Sequence, residues 1–246
     1  MEVLGAGLLA IGIGDVVRSL SGEAGKGWRA RLAVPTGVAV GLALLILSSY
    51  PTWQVIVFVT LSFPALLIWG QLRSWTDSNQ AWLSRLALLF FAVLASVLVA
   101  STALLQEPAT ESPLAKWLFE LPFEATSDLG SGEFVLILGI AACQIATGNA
   151  LVRVLMMTTG ISVQGPRNIL RGGRVIGPME RLLILGFVLG GEPAGAAVVV
   201  AAKSLLRFPE VSHASGENGV AELSEYFLVG SLASWLVALA PTILLA

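Results

Sequence analysis

The sequence predicts an all-α fold, a polytopic transmembrane helix bundle of six or seven membrane segments. It also predicts a broken or re-entrant segment at 182–207 and a short interfacial helix near 113–121. Three observations lead there. Of the 246 residues, 56% are hydrophobic and 12% charged, about half the charged share of a soluble domain, and a chain this short cannot hide so much apolar surface from water. Residues 32–72, between Arg31 and Arg73, carry no charge at all; as helix they extend roughly 60 Å, two crossings of a ~30 Å hydrocarbon layer. Lysines and arginines, finally, gather in a few short loops, as they do on the cytoplasmic side of membrane proteins.

Taken in order, residues 3–17 are apolar but short, and Asp15 and Arg18 close them. They read as a short crossing or a half-inserted helix. Asp15 and Arg18, three apart, form either a buried ion pair or the cytoplasmic end of that helix. A basic loop follows at 18–31, then crossings at about 32–49 and 53–72 around the turn Tyr50-Pro51-Thr52. After the loop 73–85 comes a crossing at about 83–106. The loop 107–133 holds six acids and Lys116 as its one basic residue. Inside it, Leu114, Trp117, Leu118 and Leu121 share a helical face while Lys116 and Glu120 pair on another, the pattern of a helix lying on the membrane surface. A crossing at about 134–157 leads to the basic segment 158–181. Gln144, Thr147 and Asn149 within that crossing are polar groups for hydrogen bonds between helices.

Residues 182–207 are interrupted by Gly190-Gly191-Glu192-Pro193. A single crossing would put Lys203 and Arg207 outside; a hairpin would keep both ends cytoplasmic and place Glu192 at membrane depth. The last crossing is 225–246. No linker or internal repeat divides the chain, which reads as one integral membrane domain over 1–246.

Basic residues number four in 18–31, two in 73–85 and five in 153–181, eleven of the fourteen. Those loops are expected in the cytoplasm and 107–133 outside, in a multi-pass protein of the plasma (inner) membrane. Trp28, Tyr50, Trp53, Trp69, Trp75 and Trp82 fall near span ends, where interfacial aromatic residues sit.

Two groups of side chains are candidate sites. Arg167, Arg171 and Arg174 crowd around Gly172-Gly173 and suit a phosphate or an anionic lipid headgroup; a topogenic basic loop has the same composition. Glu180, Arg181, Glu192, Lys203, Arg207 and Glu225 lie at the ends or the break of consecutive spans. If 182–207 is a hairpin, they form an intramembrane or interfacial charge cluster with Glu192 at the tip. Snorkelling of Lys203 is the other reading. His213 stands alone, and no metal-ligand spacing, catalytic motif or nucleotide fingerprint is present. No cofactor, metal or nucleic acid is expected. The expected partners are the lipid bilayer, anionic headgroups on the cytoplasmic side, and a second copy or partner subunit.

Three segments, Arg171-Gly-Gly-Arg-Val-Ile-Gly-Pro-Met-Glu-Arg-Leu-Leu-Ile184, Ala201-Ala-Lys-Ser-Leu-Leu-Arg-Phe208 and Glu225-Tyr-Phe-Leu-Val-Gly-Ser-Leu232, resemble a bacterial family of multi-pass membrane proteins of unknown function. The resemblance is confined to about residues 171–236. It implies an integral membrane protein and supplies no activity or ligand. Three function classes stay open: a transporter- or channel-like protein for a small polar or ionic solute, a non-catalytic subunit or scaffold, and a membrane enzyme acting on a lipid or polyprenyl phosphate. The missing paired carboxylates weigh against the enzyme.

Sidedness is directly testable. In a Cys143→Ala background, a cysteine at position 171 should resist an impermeant thiol reagent in intact cells and react once the membrane is opened. Labelling from outside would overturn the orientation.

Overall fold

The computed structural model describes residues 1–20, 28–76, 81–105, 112–122, 129–159, 173–212 and 217–245. Ten α-helices run through them in the order α1 (Glu2–Ser19), α2 (Trp28–Leu47), α3 (Thr52–Thr76), α4 (Ala81–Leu104), α5 (Pro113–Phe119), α6 (Ser131–Ile145), α7 (Thr147–Thr158), α8 (Gly173–Leu189), α9 (Pro193–Ser212) and α10 (Glu217–Leu239). A 3-10 turn, Ala240–Leu245, closes the chain. Among the described residues there is no strand.

Four helices are long and apolar enough to cross a membrane, over residues 30–47, 52–74, 82–104 and 224–245; α6 and α7 add a fifth crossing if counted as one broken span. Six or seven were expected. The difference lies in α1, α8 and α9, which each carry three charges: Glu2, Asp15 and Arg18; Arg174, Glu180 and Arg181; Lys203, Arg207 and Glu210. Apolar side chains such as Leu89 and Val93 of α4 and Leu228 and Leu236 of α10 are exposed, the faces a bilayer would cover.

Helix α1, read from sequence as a short crossing or a half-inserted helix, is the centre of the bundle. Its 18 residues extend about 27 Å, and α2 and α6 pack along two of its sides. Matching positions show the directions. Ala10 meets Gly37 and Ala6 meets Gly41, so α2 is antiparallel; Gly5 meets Val135 and Gly12 meets Ala142, so α6 is parallel. These contacts are backbone against backbone. A Cβ on Gly12 would lie 2.7 Å from the carbonyl carbon of Ala142, and one on Gly37 would overlap the carbonyl oxygen of Ala10. Glycine is what permits the approach, as in close helix pairs within membranes, where packing rather than water drives association.

The crossing expected at 134–157 is broken. Residue Ala146 separates α6 from α7, and their axes bend by 53°. Helix α5 forms as expected. The Ser112 hydroxyl accepts from the Ala115 N–H at 3.1 Å as its N-cap, and Leu114 and Leu118 are buried against the bundle. Trp117 is exposed on one side and meets the Phe134 ring edge-on, with centroids 6.0 Å apart.

The segment 182–207 is a hairpin. At its turn the Glu192 N–H donates to Phe187 O at 2.8 Å and the Gly191 N–H to Val188 O at 3.1 Å, with Gly191 at φ 74°. That is a Schellman ending, which glycine adopts without strain. Pro193 then opens α9, a position that needs no N–H donor. Helix α8 runs antiparallel to α6 and parallel to α10: Arg181 lies level with Gln144 and Ser234, Leu185 packs with Ile140, and Ile184 packs with Ala238.

The glycine contacts give a paired prediction. Gly37→Ala forces α1 and α2 apart and should destabilise the protein by about 1–3 kcal/mol. Gly186→Ala, where a Cβ meets nothing within 4 Å, should be neutral or stabilise by up to about 1 kcal/mol. Thermal unfolding of both variants in detergent micelles measures the contrast. Equal shifts would contradict this packing.

Candidate functional site

The break between α6 and α7 has a charged side chain on each flank. On one flank is Asp15 of α1, 3% exposed. Its Oδ2 accepts from Thr147 Oγ1 at 2.8 Å and from Trp69 Nε1 at 3.0 Å, and its Oδ1 pairs with Arg73 Nη1 at 2.5 Å. The Arg73 guanidinium also lies 5.8 Å from the centre of the Trp69 ring, which packs at 5.1 Å on Phe91. Three helices thus converge on one carboxylate: α1 brings Asp15, α3 brings Trp69 and Arg73 one turn apart, and α7 brings its first residue, Thr147.

On the other flank is Arg181 of α8, 2% exposed. Its Nε and Nη2 donate to the Gln144 carbonyl at 3.1 and 2.8 Å. Nη2 also donates to Asn149 Oδ1 at 2.6 Å, and Nη1 to Ser234 Oγ at 3.2 Å. Carbonyls near a helix break need donors from elsewhere, and the planar guanidinium fork supplies two to one oxygen. A Cβ at Gly148 would lie 2.8 Å from Arg181 Nε, so the glycine two residues past the break leaves room for the fork. Gln144 reaches α10 as well, donating Nε2 to Val237 O at 3.2 Å.

These placements revise two expectations. Asp15, one turn before the end of α1 at Ser19, forms a buried ion pair, but with Arg73 of α3 rather than with Arg18, because α2 and α6 enclose α1 along its length. Trp69 is fully buried and donates to Asp15 instead of anchoring at an interface; Trp53 and Trp82 do remain exposed near span ends. Gln144, Thr147 and Asn149 bond between helices as expected.

Among the residues picked from sequence, Lys203 Nζ meets Glu180 Oε2 at 2.5 Å across the hairpin. Both ends of 182–207 therefore return to one side, as the hairpin reading required. Arg181, next to Glu180, faces the bundle interior instead, and the acceptors of its hydrogen bonds are uncharged. Glu192 is exposed at the hairpin tip, and Glu225 is exposed on α10. The side chains of Arg207 and Arg174 lie outside the described residues, as do Arg167 and Arg171 altogether.

Two small cavities line α1. One of about 10 Å³ borders Asp15, Arg18, Gly14 and Trp69, and one of about 20 Å³ borders Gly7, Ala10, Ser62 and Leu98. Ile11 and Leu66 border both and separate them. Each has room for about one water. Among the described residues no group of three or more His, Cys, Asp or Glu could hold a metal ion. No family model, curated protein or solved structure matches the chain.

Arg181→Lys keeps the charge but loses the fork, so the Gln144 carbonyl and Asn149 cannot both be served. A loss of about 2 kcal/mol or more is expected, read as a lower unfolding temperature, with Glu192→Gln unchanged. An Arg181→Lys protein as stable as the parent would show that the break does not depend on the fork. Lys203→Arg should be milder than Lys203→Ala, which leaves Glu180 uncompensated.

Proposed function

We propose that this protein passes a small ion across the membrane and that α1 is the helix along which it does so. The observation that carries the reading is a helix at the centre of an apolar bundle in which Glu2 and Asp15 are buried and Arg18 is partly buried. Ionisable side chains are costly at membrane depth and ordinarily mark ion or proton pathways there. The one-water cavities beside α1 suit a bare ion or a proton better than a metabolite. The broken helix α6–α7 supports the same reading, since interrupted helices bring backbone carbonyls and polar side chains to membrane depth. The lysine and arginine distribution favours an orientation with the Glu2 end of α1 outside and the basic segments at the cytoplasmic face of a plasma membrane. There they would rest against anionic headgroups. The C-terminal segments are in keeping with a bacterial multi-pass family.

Purified protein in proteoliposomes tests this. Flux of H⁺, Na⁺, K⁺ or Cl⁻ above that of empty vesicles is expected for at least one ion. Asp15→Asn should remove it and Glu192→Gln should spare it. Vesicles no leakier than protein-free controls to all four ions would overturn the proposal and leave the non-catalytic subunit as the reading to pursue.

A further inference from the structure

At the Glu2 end of the bundle a layer of polar side chains is sealed from solvent and left without partners. Glu2 and Gln54 are each 2% exposed and Ser48 1%. Both carboxylate oxygens of Glu2, both amide atoms of Gln54 and the Ser48 hydroxyl have no hydrogen-bond partner among the described residues. Helical geometry puts them together. The Ala6 carbonyl and the tip of the Phe58 ring both meet Gly41. One turn further toward the same end, about 5.4 Å, stand Glu2, four residues before Ala6; Gln54, four before Phe58; and Leu45, four after Gly41. Ser48 comes three residues after Leu45, in the turn just past the end of α2. The Glu2 Cγ lies 3.5 Å from where a Cβ of Gly132 would stand, so the first turn of α6 closes the layer from the other side.

An enclosed carboxylate without a donor is costly, because its solvation is lost and nothing is returned. The N-terminal ends of the parallel helices α1 and α6 favour negative charge there, yet no N–H or O–H among the described residues donates to Glu2. The unpartnered oxygens form a set of a defined kind. Two belong to a carboxylate, one to a primary amide and one to a hydroxyl. All are hard donors, and together they carry a single negative charge. That set matches a monovalent cation; a divalent ion draws on several carboxylates. Of the acids in the sequence between α4 and α6, Glu133 stands in the first turn of α6, and a carboxylate there favours cations.

We propose that Glu2, Gln54 and Ser48 bind one monovalent metal cation, of the sodium class, at this end of α1. The site deepens the ion-passing reading and rests on it for its role, since it names the cation that would enter along α1. The Ser62 cavity lies next along the helix, and Ser62 Oγ is likewise buried and without a partner among the described residues.

The test uses the full chain in detergent or nanodiscs. Equilibrium binding of ²²Na⁺ should saturate at one ion per chain. Thermal unfolding in NaCl should occur several degrees higher than in choline chloride at the same ionic strength. Glu2→Gln should abolish both effects, and Glu192→Gln should keep both. If Glu2→Gln does not fold, Gln54→Leu and the unmodified chain decide, because the sodium-against-choline comparison needs no variant. Unchanged stability in Na⁺, Li⁺ and K⁺ relative to choline, or sodium binding that survives Glu2→Gln, overturns the site; a layer filled by water or a proton would give the first result. Ion flux without this binding would overturn the site and leave the ion-passing reading standing. Binding without flux would do the reverse.

Discussion

A carboxylate within a membrane bundle has to be answered, and the answer to Asp15 organises the rest of this fold. Removing it from water costs several kcal/mol, which an ion pair alone offsets poorly unless the remaining lone pairs also find donors. Here Arg73 supplies the charge and Trp69 and Thr147 supply the donors. Because those groups come from α3 and α7, satisfying one side chain of α1 fixes three helices relative to one another. Thr147 is the first residue of α7, so the same carboxylate also holds the helix where it resumes after the break. Arg181 does the matching work on the other flank, giving donors to the Gln144 carbonyl and to Asn149. The bend of 53° is held between an anion and a cation that do not touch each other.

A helix carrying Glu2, Asp15 and Arg18 cannot face lipid, so α1 has to be surrounded, and the way it is surrounded follows from its own sequence. Lipid tails are as apolar as leucine, and no hydrophobic force draws two helices together among them; close dispersion contact and hydrogen bonding have to suffice. Gly5 and Gly12 toward α6, and Gly37 of α2 toward α1, bring backbones into direct contact. The apolar side chains of α3, α4 and α10 are then free to turn outward. The α8–α9 hairpin attaches to this core chiefly through α8, with the Glu180–Lys203 pair bridging its two arms.

Some of this was legible in the sequence and some was not, for physical reasons. Long uncharged runs revealed α2, α3, α4 and α10, since a segment of that length without a charge has few other uses. Gly190-Gly191-Glu192-Pro193 revealed a turn because each residue fits one position of a Schellman ending and a helix start; only the choice between hairpin and single crossing needed the Glu180–Lys203 distance. The central position of α1 stayed hidden. Its charges and short apolar run resemble those of a helix end, and burial is a property of its neighbours. Trp69 was misplaced for a similar reason: a tryptophan near a span end is usually interfacial, and only the partner Asp15, 54 positions away, distinguishes the two cases. The break at Ala146 has neither proline nor glycine at the hinge itself. The polar triplet Thr147-Gly148-Asn149 inside an apolar run was the available signal, and it pointed to hydrogen bonds without disclosing a bend.

The two ends of α1 are chemically unlike: one holds a fully bonded carboxylate and the other an unpartnered one. Its dipole is complemented at both ends, by Glu2 in the first turn and Arg18 in the last, so the backbone alone does not distinguish them. The side chains around it do. Near Asp15 both carboxylate oxygens are engaged, with Arg73 paired to it and Arg18 bordering the same cavity. Around Glu2 the balance reverses: the carboxylate, the Gln54 amide and the Ser48 hydroxyl are buried and none of them has a hydrogen-bond partner among the described residues. A saturated polar cluster is rigid, so on the proposed ion path Asp15 would act as a fixed charge rather than as a vacant ligand. An unsaturated cluster gains the whole of its missing interaction when a matching ion arrives. Between them, Ile11 and Leu66 separate the pair of one-water cavities, an apolar constriction set against a polar site on either side. On the proposed reading, that sequence of open site, constriction and locked carboxylate would give an ion a direction along α1.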